Sequence, residues 1–433
     1  MLRKFLSSLL ACAVLTASTA LHGAQAQGIP LIRDAEIEST IRALAVPLFE
    51  AAGLDPEAVK IHLVNDGALN AFVFGGQRLF ITTGLLMRSK HAGQVIGVLA
   101  HETGHIAGGH LARLEGERRN AGMQALISFV LGAAAAVAGQ GEVGQAIISG
   151  GTHVAQRQML TYTRGHEAAA DQAALTYLDR TGQSAVGMME FLEVLGNQEL
   201  LTPGRQDPYV RTHPITRDRI SFVKNHVSNS ELSAAPIPPE YRFVHARMRG
   251  KLQGFLRPPA ETFSRYPQKD QSIEARYARA IAHYRKPDLG RAIPLIDELI
   301  AERPDDPFLH ELKGQMLYEN GRVREALAPH EVAVRLLPNS SLLRVGLAQT
   351  QIALNEPTLN EAALANLHEA VRIERDYATT WGLLAVAYGR GGHIDLVALA
   401  LAEKAFLLGD EKEARLQVAR AENLLPEGSA GWI

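Results

Sequence analysis

Apolar residues recur at helical spacing where the chain first looks folded. Ile37, Ile41, Leu44, Leu48 and Phe49 line one side of residues 31–53 and predict an amphipathic helix. The period then changes. "VKIHLVND", "NAFVFGG" and "QRLFITTG" are short β-rich runs bounded by turn residues, and Gly75-Gly76 between the last two predicts a hairpin. Helical spacing returns from Leu85 to Leu114 and again over "HEAAADQAALTYLDRTG", which starts near His166 and stops at Gly182. Between these helices lies "ALISFVLGAAAAVA", residues 125–138, apolar all round but 14 residues long, short of the roughly 20 that cross a bilayer. It reads as a buried or lid-like helix, with peripheral membrane contact through 125–138 as the alternative.

Past "THPITRDRISFVKNH" the composition shifts. Residues 228–239, "SNSELSAAPIPP", are rich in Ser, Ala and Pro and read as a domain linker. Beyond about residue 271 a repeat sets in. Pro304 and Pro338 are 34 residues apart, the tetratricopeptide period, and Ala292 and Ala326 each sit 12 before the proline. Ala280 and Gly314 each sit 24 before it, where paired helices must approach closely. Trp381, Leu384, Ala385 and Tyr388 reproduce the first helix of another unit, and Gly409, Ala414 and Pro426 repeat the offsets of Gly321, Ala326 and Pro338. The middle unit is out of phase through an insertion around "NEPTLN". An unrelated helical bundle is the alternative.

Composition adds an address and excludes some partners. Lys+Arg 44 against Asp+Glu 46 in 433 residues announces no nucleic-acid or polyanion partner. Arg3 and Lys4, an apolar run over residues 5–21 and Ala24-Gln25-Ala26 make an export signal with cleavage expected after Ala26. The single cysteine, Cys12, lies inside it, so the mature chain is expected to hold no disulfide.

The candidate chemistry sits in "LAHETGHIAGGHLARL". His101 and His105 lie one helical turn apart on one face, and Glu102 is rotated away yet close enough to move a proton. Neutral imidazoles suit Zn2+, which with three protein ligands would acidify a water and polarise a substrate carbonyl while Glu102 carries the proton. Chance occurrence and simple packing are the bland alternatives. His110 is one residue too early to complete an H-E-x-x-H-x-x-G-x-x-H set, whose last position is Leu111 here; one residue turns a side chain by about 100°. The third ligand is therefore expected from the second helix, as Glu167, with Asp171 on the same face accepting the remaining N–H of a ligating histidine. The alternative is that this pair is only an exposed helical face.

"NAFVFGG", "VLAHETGHIAGGH", "EAAAD" and "THPITRDRI", in this order, resemble the zinc endopeptidases related to the CAAX prenyl proteases and the HtpX membrane proteases. With a signal in front and repeats behind, the chain resembles their periplasmic, repeat-bearing branch. The resemblance implies one Zn2+ per chain, bound by His101, His105 and Glu167, with Glu102 as general base and Asp171 behind a ligand. It implies that Asn70, Ala71 and Phe72 start a strand that holds substrate backbone, that His213 can plug the zinc, and that Arg219 supports the site. The chain departs from the family at Ala169, where a second acid is common, and in lacking a cysteine pair, so docking of the repeats is expected to rest on packing alone.

The expected fold is mostly α. An α+β zincin-type (gluzincin) peptidase domain at 27–227 follows the signal at 1–26; a linker and connecting helix span 228–270, and an α-solenoid of tetratricopeptide repeats spans 271–433. The implied function is quality control of outer-membrane proteins in the periplasm, with misfolded or stalled β-barrel proteins and their assembly machinery as partners of the repeats. The rival is a non-proteolytic assembly factor with a structural or permanently plugged zinc site. An integral-membrane prenyl-type protease is disfavoured, because no mature segment reaches spanning length.

Overall fold

The computed structural model describes residues 30–110, 113, 163–196 and 207–428. The export signal with Cys12 and the apolar 125–138 stretch lie outside the described residues. Among the described residues no helix is long and apolar enough to cross a membrane.

The first helix, α1 (Ala35–Ala51), starts where Asp34 accepts from the Ile37 amide, and it buries Ile37, Ile41, Leu44, Leu48 and Phe49. A short strand, β1 (Leu31–Ile32), precedes it. The three β-rich runs become β2 (Lys60–Val64), β3 (Ala71–Val73) and β4 (Arg78–Thr82). They form one sheet in the order β1-β2-β4-β3. The expected hairpin joins β3 to β4, antiparallel, through Gly75 and Gly76 at φ 62° and 93°. β2 instead pairs with β4 in parallel, so β3 is left as an edge.

The sheet packs on α1 and on a helix buried along nearly its whole length, α3 (Ala92–Ala107), which follows the short α2 (Thr83–Arg88). The helical stretch expected from Leu85 onward is divided into α2 and α3, and its end at Leu114 lies outside the described residues. Gly108 closes α3, and Gly109 adopts a left-handed φ of 60°, a conformation that glycine adopts without the Cβ penalty of other residues. Residues 163–180 form α4, which crosses α3 closely: a Cβ on Gly104 would lie 2.8 Å from the Ala170 carbonyl oxygen. The layer is completed by α5 (Val186–Gly196), α6 (Pro208–Thr212) and α7 (Arg217–Asn229).

The 228–270 stretch contains an ordered helix, α8 (Pro239–Leu256), then α9 (Pro259–Arg265). Met248 and Leu252 of α8 enter the peptidase core, while α8 also packs along the first repeat helix, so one helix serves both lobes.

Four helix pairs follow: α10 and α11 (Ile273–Arg285, Leu289–Glu302), α12 and α13 (Pro307–Glu319, Val323–Leu336), α14 and α15 (Ser341–Leu354, Pro357–Ile373), α16 and α17 (Ala378–Arg390, Ile394–Leu407). A further helix, α18 (Glu411–Leu424), packs on α17. Ala280, Ala292 and Ala326 are fully buried where helices meet. The insertion at "NEPTLN" makes α15 17 residues long where α11 and α13 have 14.

Docking of the repeats does not rest on packing alone. Glu36 of α1, 2% exposed, takes the Arg247 guanidinium at 2.7 Å, the Tyr277 hydroxyl at 2.7 Å and the Lys251 ammonium at 3.2 Å. Arg247 also reaches Asp306, Lys251 reaches Asp34 at 2.9 Å, and Arg33 joins Glu374 at 2.8 Å beneath the Tyr377 ring. Packing alone is what a chain without a cysteine pair predicts; here the packing is joined by buried ion pairs.

Candidate metal centre

α3 and α4 bring the polar residues together in an otherwise apolar layer. His101 Nε2 lies 3.1 Å from His105 Nε2, as helical positions four apart allow. Glu167 on α4 faces both, at 3.4 Å from His101 Nε2 and 3.3 Å from His105 Nε2. His213, at the C-terminal end of α6, completes the cluster: its Nδ1 is 3.4 Å from His101 Nε2 and 3.2 Å from Glu167 Oε1. One donor atom from each of the four lies within 4.8 Å of the others.

These spacings fit a small divalent ion. Ligands at the 2.0–2.1 Å typical of zinc sit at tetrahedron corners about 3.3 Å apart, and the closest donor contacts here run from 3.1 to 3.4 Å. The remaining nitrogens are held from behind. His101 Nδ1 meets Asp171 Oδ1 at 2.9 Å, and His105 Nδ1 meets His110 Nδ1 at 3.1 Å. His110 reaches that position because the helix breaks at Gly108–Gly109; a continuous helix would have turned it away.

Arg219, 5% exposed, donates from Nε and Nη2 to Asp171 at 2.6 and 2.9 Å, and from Nη1 to Glu167 at 2.7 Å and the Pro214 carbonyl at 2.8 Å. These bonds direct its guanidinium to the two carboxylates and to the Pro214 carbonyl.

Titration follows from this packing. Burial opposes charging of His101, but hydrogen bonds to Asp171 and Glu167 hold its pKa up at about 9. His105 falls to about 3, chiefly through burial. Glu167 is buried too, yet His213 and bonds from His101 and His105 keep it well below the ordinary carboxylate range. Glu102 is different. It is fully buried, burial pushes its pKa up, and neither carboxylate oxygen has a hydrogen-bond partner. Its nearest neighbour of interest is His213 Nε2 at 3.5 Å, itself without a hydrogen bond.

Asn70, Ala71 and Phe72 lie at the free edge of the sheet, which packs along α3 and against α6. Asn70 is 9% exposed and its Oδ1 has no partner. Ala169, where the resemblance leads one to expect a second acid, is exposed on α4. Two neighbours of the site carry no signal in the sequence. Tyr209 stacks on the His213 ring at 4.5 Å, and Asp207 accepts from the Leu69 amide and from Arg88, each at 3.1 Å. No motif spacing marks either residue.

A histidine pair on one helix, a carboxylate from a crossing helix and an orphaned acid beside them are a donor set that could hold a metal ion. Residues 31–227 match the model of Peptidase family M48. The chain is a metalloendopeptidase with a helical repeat region behind its catalytic domain.

It is 25% identical over 405 residues to the beta-barrel assembly-enhancing protease of Yersinia pestis, covering 93% of this chain and 81% of that one. Identity to the protein of the same name in Escherichia coli K12 is 24% over 92% and 82%. A mitochondrial metalloendopeptidase of Schizosaccharomyces pombe is 23% identical over 43% and 51%. A solved thermophilic TPR protein of Thermus thermophilus aligns with 34% of this chain and 89% of its own at 21% identity, with a TM-score of 0.25.

Proposed function

We propose that the chain is a zinc endopeptidase that acts on outer-membrane β-barrel proteins in the periplasm, with the repeats selecting and holding substrates or their assembly machinery. The observation that carries the chemistry is the orphaned, buried Glu102 carboxylate beside four convergent donors. The substrate class rests on the beta-barrel assembly-enhancing proteases that match nearly the whole chain.

His101, His105 and Glu167 would hold the ion, which when bound supplies Lewis acidity to the scissile carbonyl and the attacking water. Substrate backbone pairs with the free edge of β3 and is positioned by Asn70. Glu102, kept free of competing hydrogen bonds and raised in pKa by burial, takes the proton from the water and delivers it to the leaving amine. Asp171 fixes the ring of His101, and Arg219 holds Asp171 and Glu167 in place.

The test is Glu102→Gln. Zinc content measured by atomic absorption should match the wild type, since Glu102 is not among the donors. Cleavage of an unfolded β-barrel protein should fall by about 10²–10⁴-fold, the usual worth of a general base. Unchanged cleavage with zinc in place would sink the mechanism.

A second reading is favoured by the fourth donor. Three histidines and a carboxylate close a zinc site, and closed sites are structural. His213→Ala separates the two: a removable plug predicts faster proteolysis, whereas a structural ligand predicts lost zinc, a lower melting temperature and no activity.

A further inference from the structure

Along the sheet, side chains alternate between two faces. Ala71, Leu79, Ile81 and Leu63 are buried in the core beneath it. Phe72, Phe80 and His62 therefore share the opposite face, and the register puts them side by side: Phe72 opposite Phe80, and Phe80 opposite His62. Their rings stack into a ladder, with centroids 5.0 Å apart at 6° for Phe72 on Phe80 and 4.8 Å apart at 22° for Phe80 on His62. The ladder runs from β2 to the edge strand, where Phe72 is half-buried and Phe74, two residues on, is 57% exposed.

The ladder stops at an edge with unused backbone groups. The Thr82 amide donates to the Asn70 carbonyl and the Phe74 amide donates to the Arg78 carbonyl, both at 3.0 Å. In an antiparallel pair this alternation turns the amides and carbonyls of Ala71 and Val73 away from β4. No strand among the described residues pairs with them. An added antiparallel strand that bonds to Ala71 and Val73 places its intervening residue beside Phe72, in the non-hydrogen-bonded position where cross-strand side chains come closest.

We infer that Phe72 is a specificity-determining residue: it selects an aromatic or β-branched side chain at the substrate position directly across from it, extending the Phe80–Phe72 stack by one member. The inference rests on the reading that substrate adds to β3, and it names which position is read and what it prefers. The fitting ligand is an extended segment whose outward residue is aromatic or β-branched. Phe74 flanks the next outward position and offers a weaker contact there, being more exposed.

The test uses full-length protein and extended peptides in which one position after another is varied through all residues. Cleavage is measured with the wild type and His213→Ala, and binding with the Glu102→Gln chain, each with and without Phe72→Ala or Phe72→Glu. One position should favour aromatic and β-branched residues over alanine by about three- to fivefold, the worth of a good cross-strand pair. Phe72→Ala should flatten that preference and leave preferences at other positions unchanged. Phe72→Glu should turn it towards Lys and Arg at the same position, an outcome that mere loosening of the sheet cannot produce.

Equal preferences in all three overturn the inference while leaving the peptidase reading intact. A Phe72-dependent binding preference without any cleavage overturns the peptidase reading and keeps the inference. If Phe72→Ala lowers the melting temperature, Phe72→Glu decides, since a new basic preference requires a folded edge.

Discussion

Asp171 shows how one side chain acts through another. It is fully buried, accepts from His101 Nδ1 and is forked by Arg219. Its carboxylate sets which nitrogen of His101 carries the proton and so which one faces the ion. Asp171→Ala should weaken zinc binding by about 10–100-fold, read by competition with a chromophoric chelator, with the fold retained by circular dichroism. Unaltered affinity would show that the ring needs no such partner. That His101, His105, Glu167 and Asp171 gather in one place is legible in sequence, because positions four apart on a helix share a face. The place of His110 is not legible from that rule. A continuous helix would carry it to the far side, and the left-handed Gly109 redirects the chain.

The short helix α6 is the element that brings His213 to the cluster; Tyr209 and Val210 anchor it in the core, and a partly exposed ion pair holds its start. Asp207, just before it, accepts from the Leu69 amide next to the free edge of the sheet and takes a two-pronged contact from Arg88 at 3.1 Å. Arg88 is 46% exposed, so screening by water limits this ion pair to about 0.5–1 kcal/mol. Arg88→Ala should therefore raise basal proteolysis by only about two- to fivefold, if release of His213 limits activity. An unchanged rate alongside a faster His213→Ala would place the hold on His213 elsewhere, in its stack with Tyr209. Helix spacing and the Gly75-Gly76 turn make the helices and the hairpin readable. The parallel β2–β4 pairing is not readable, because strand order depends on long-range packing that no local pattern records. The repeats show the same limit: the period reveals the helix pairs, while the ionic contacts that dock them come from residues with no motif.

At the scale of the whole molecule, Glu36 joins the lobes. Burial works against its charge, but Arg247 and Lys251 lower its pKa from 4.5 to about 2. Because the folded value lies below the unfolded one, this contribution is complete above about pH 4.5 and fades as pH falls towards 2. It amounts to roughly 3 kcal/mol. Glu36→Gln should lower the melting temperature at pH 7 and lose most of that deficit near pH 2, measured by calorimetry across pH. A constant deficit would mean that the charge of Glu36 is not what joins the lobes.

The same contacts bear on how the chain is made. Arg247 lies 211 residues from Glu36, Tyr277 lies 241 away, and Arg33 meets Glu374 across 341. Contacts this distant along the chain form late and slowly, because a long loop must close before any of them is rewarded. During synthesis Glu36 waits 211 residues for Arg247 of α8 and 241 for Tyr277, and Arg33, already held by Glu38, waits 341 for Glu374. Completion of the peptidase lobe is thus tied to α8 and to the helical repeats that follow it.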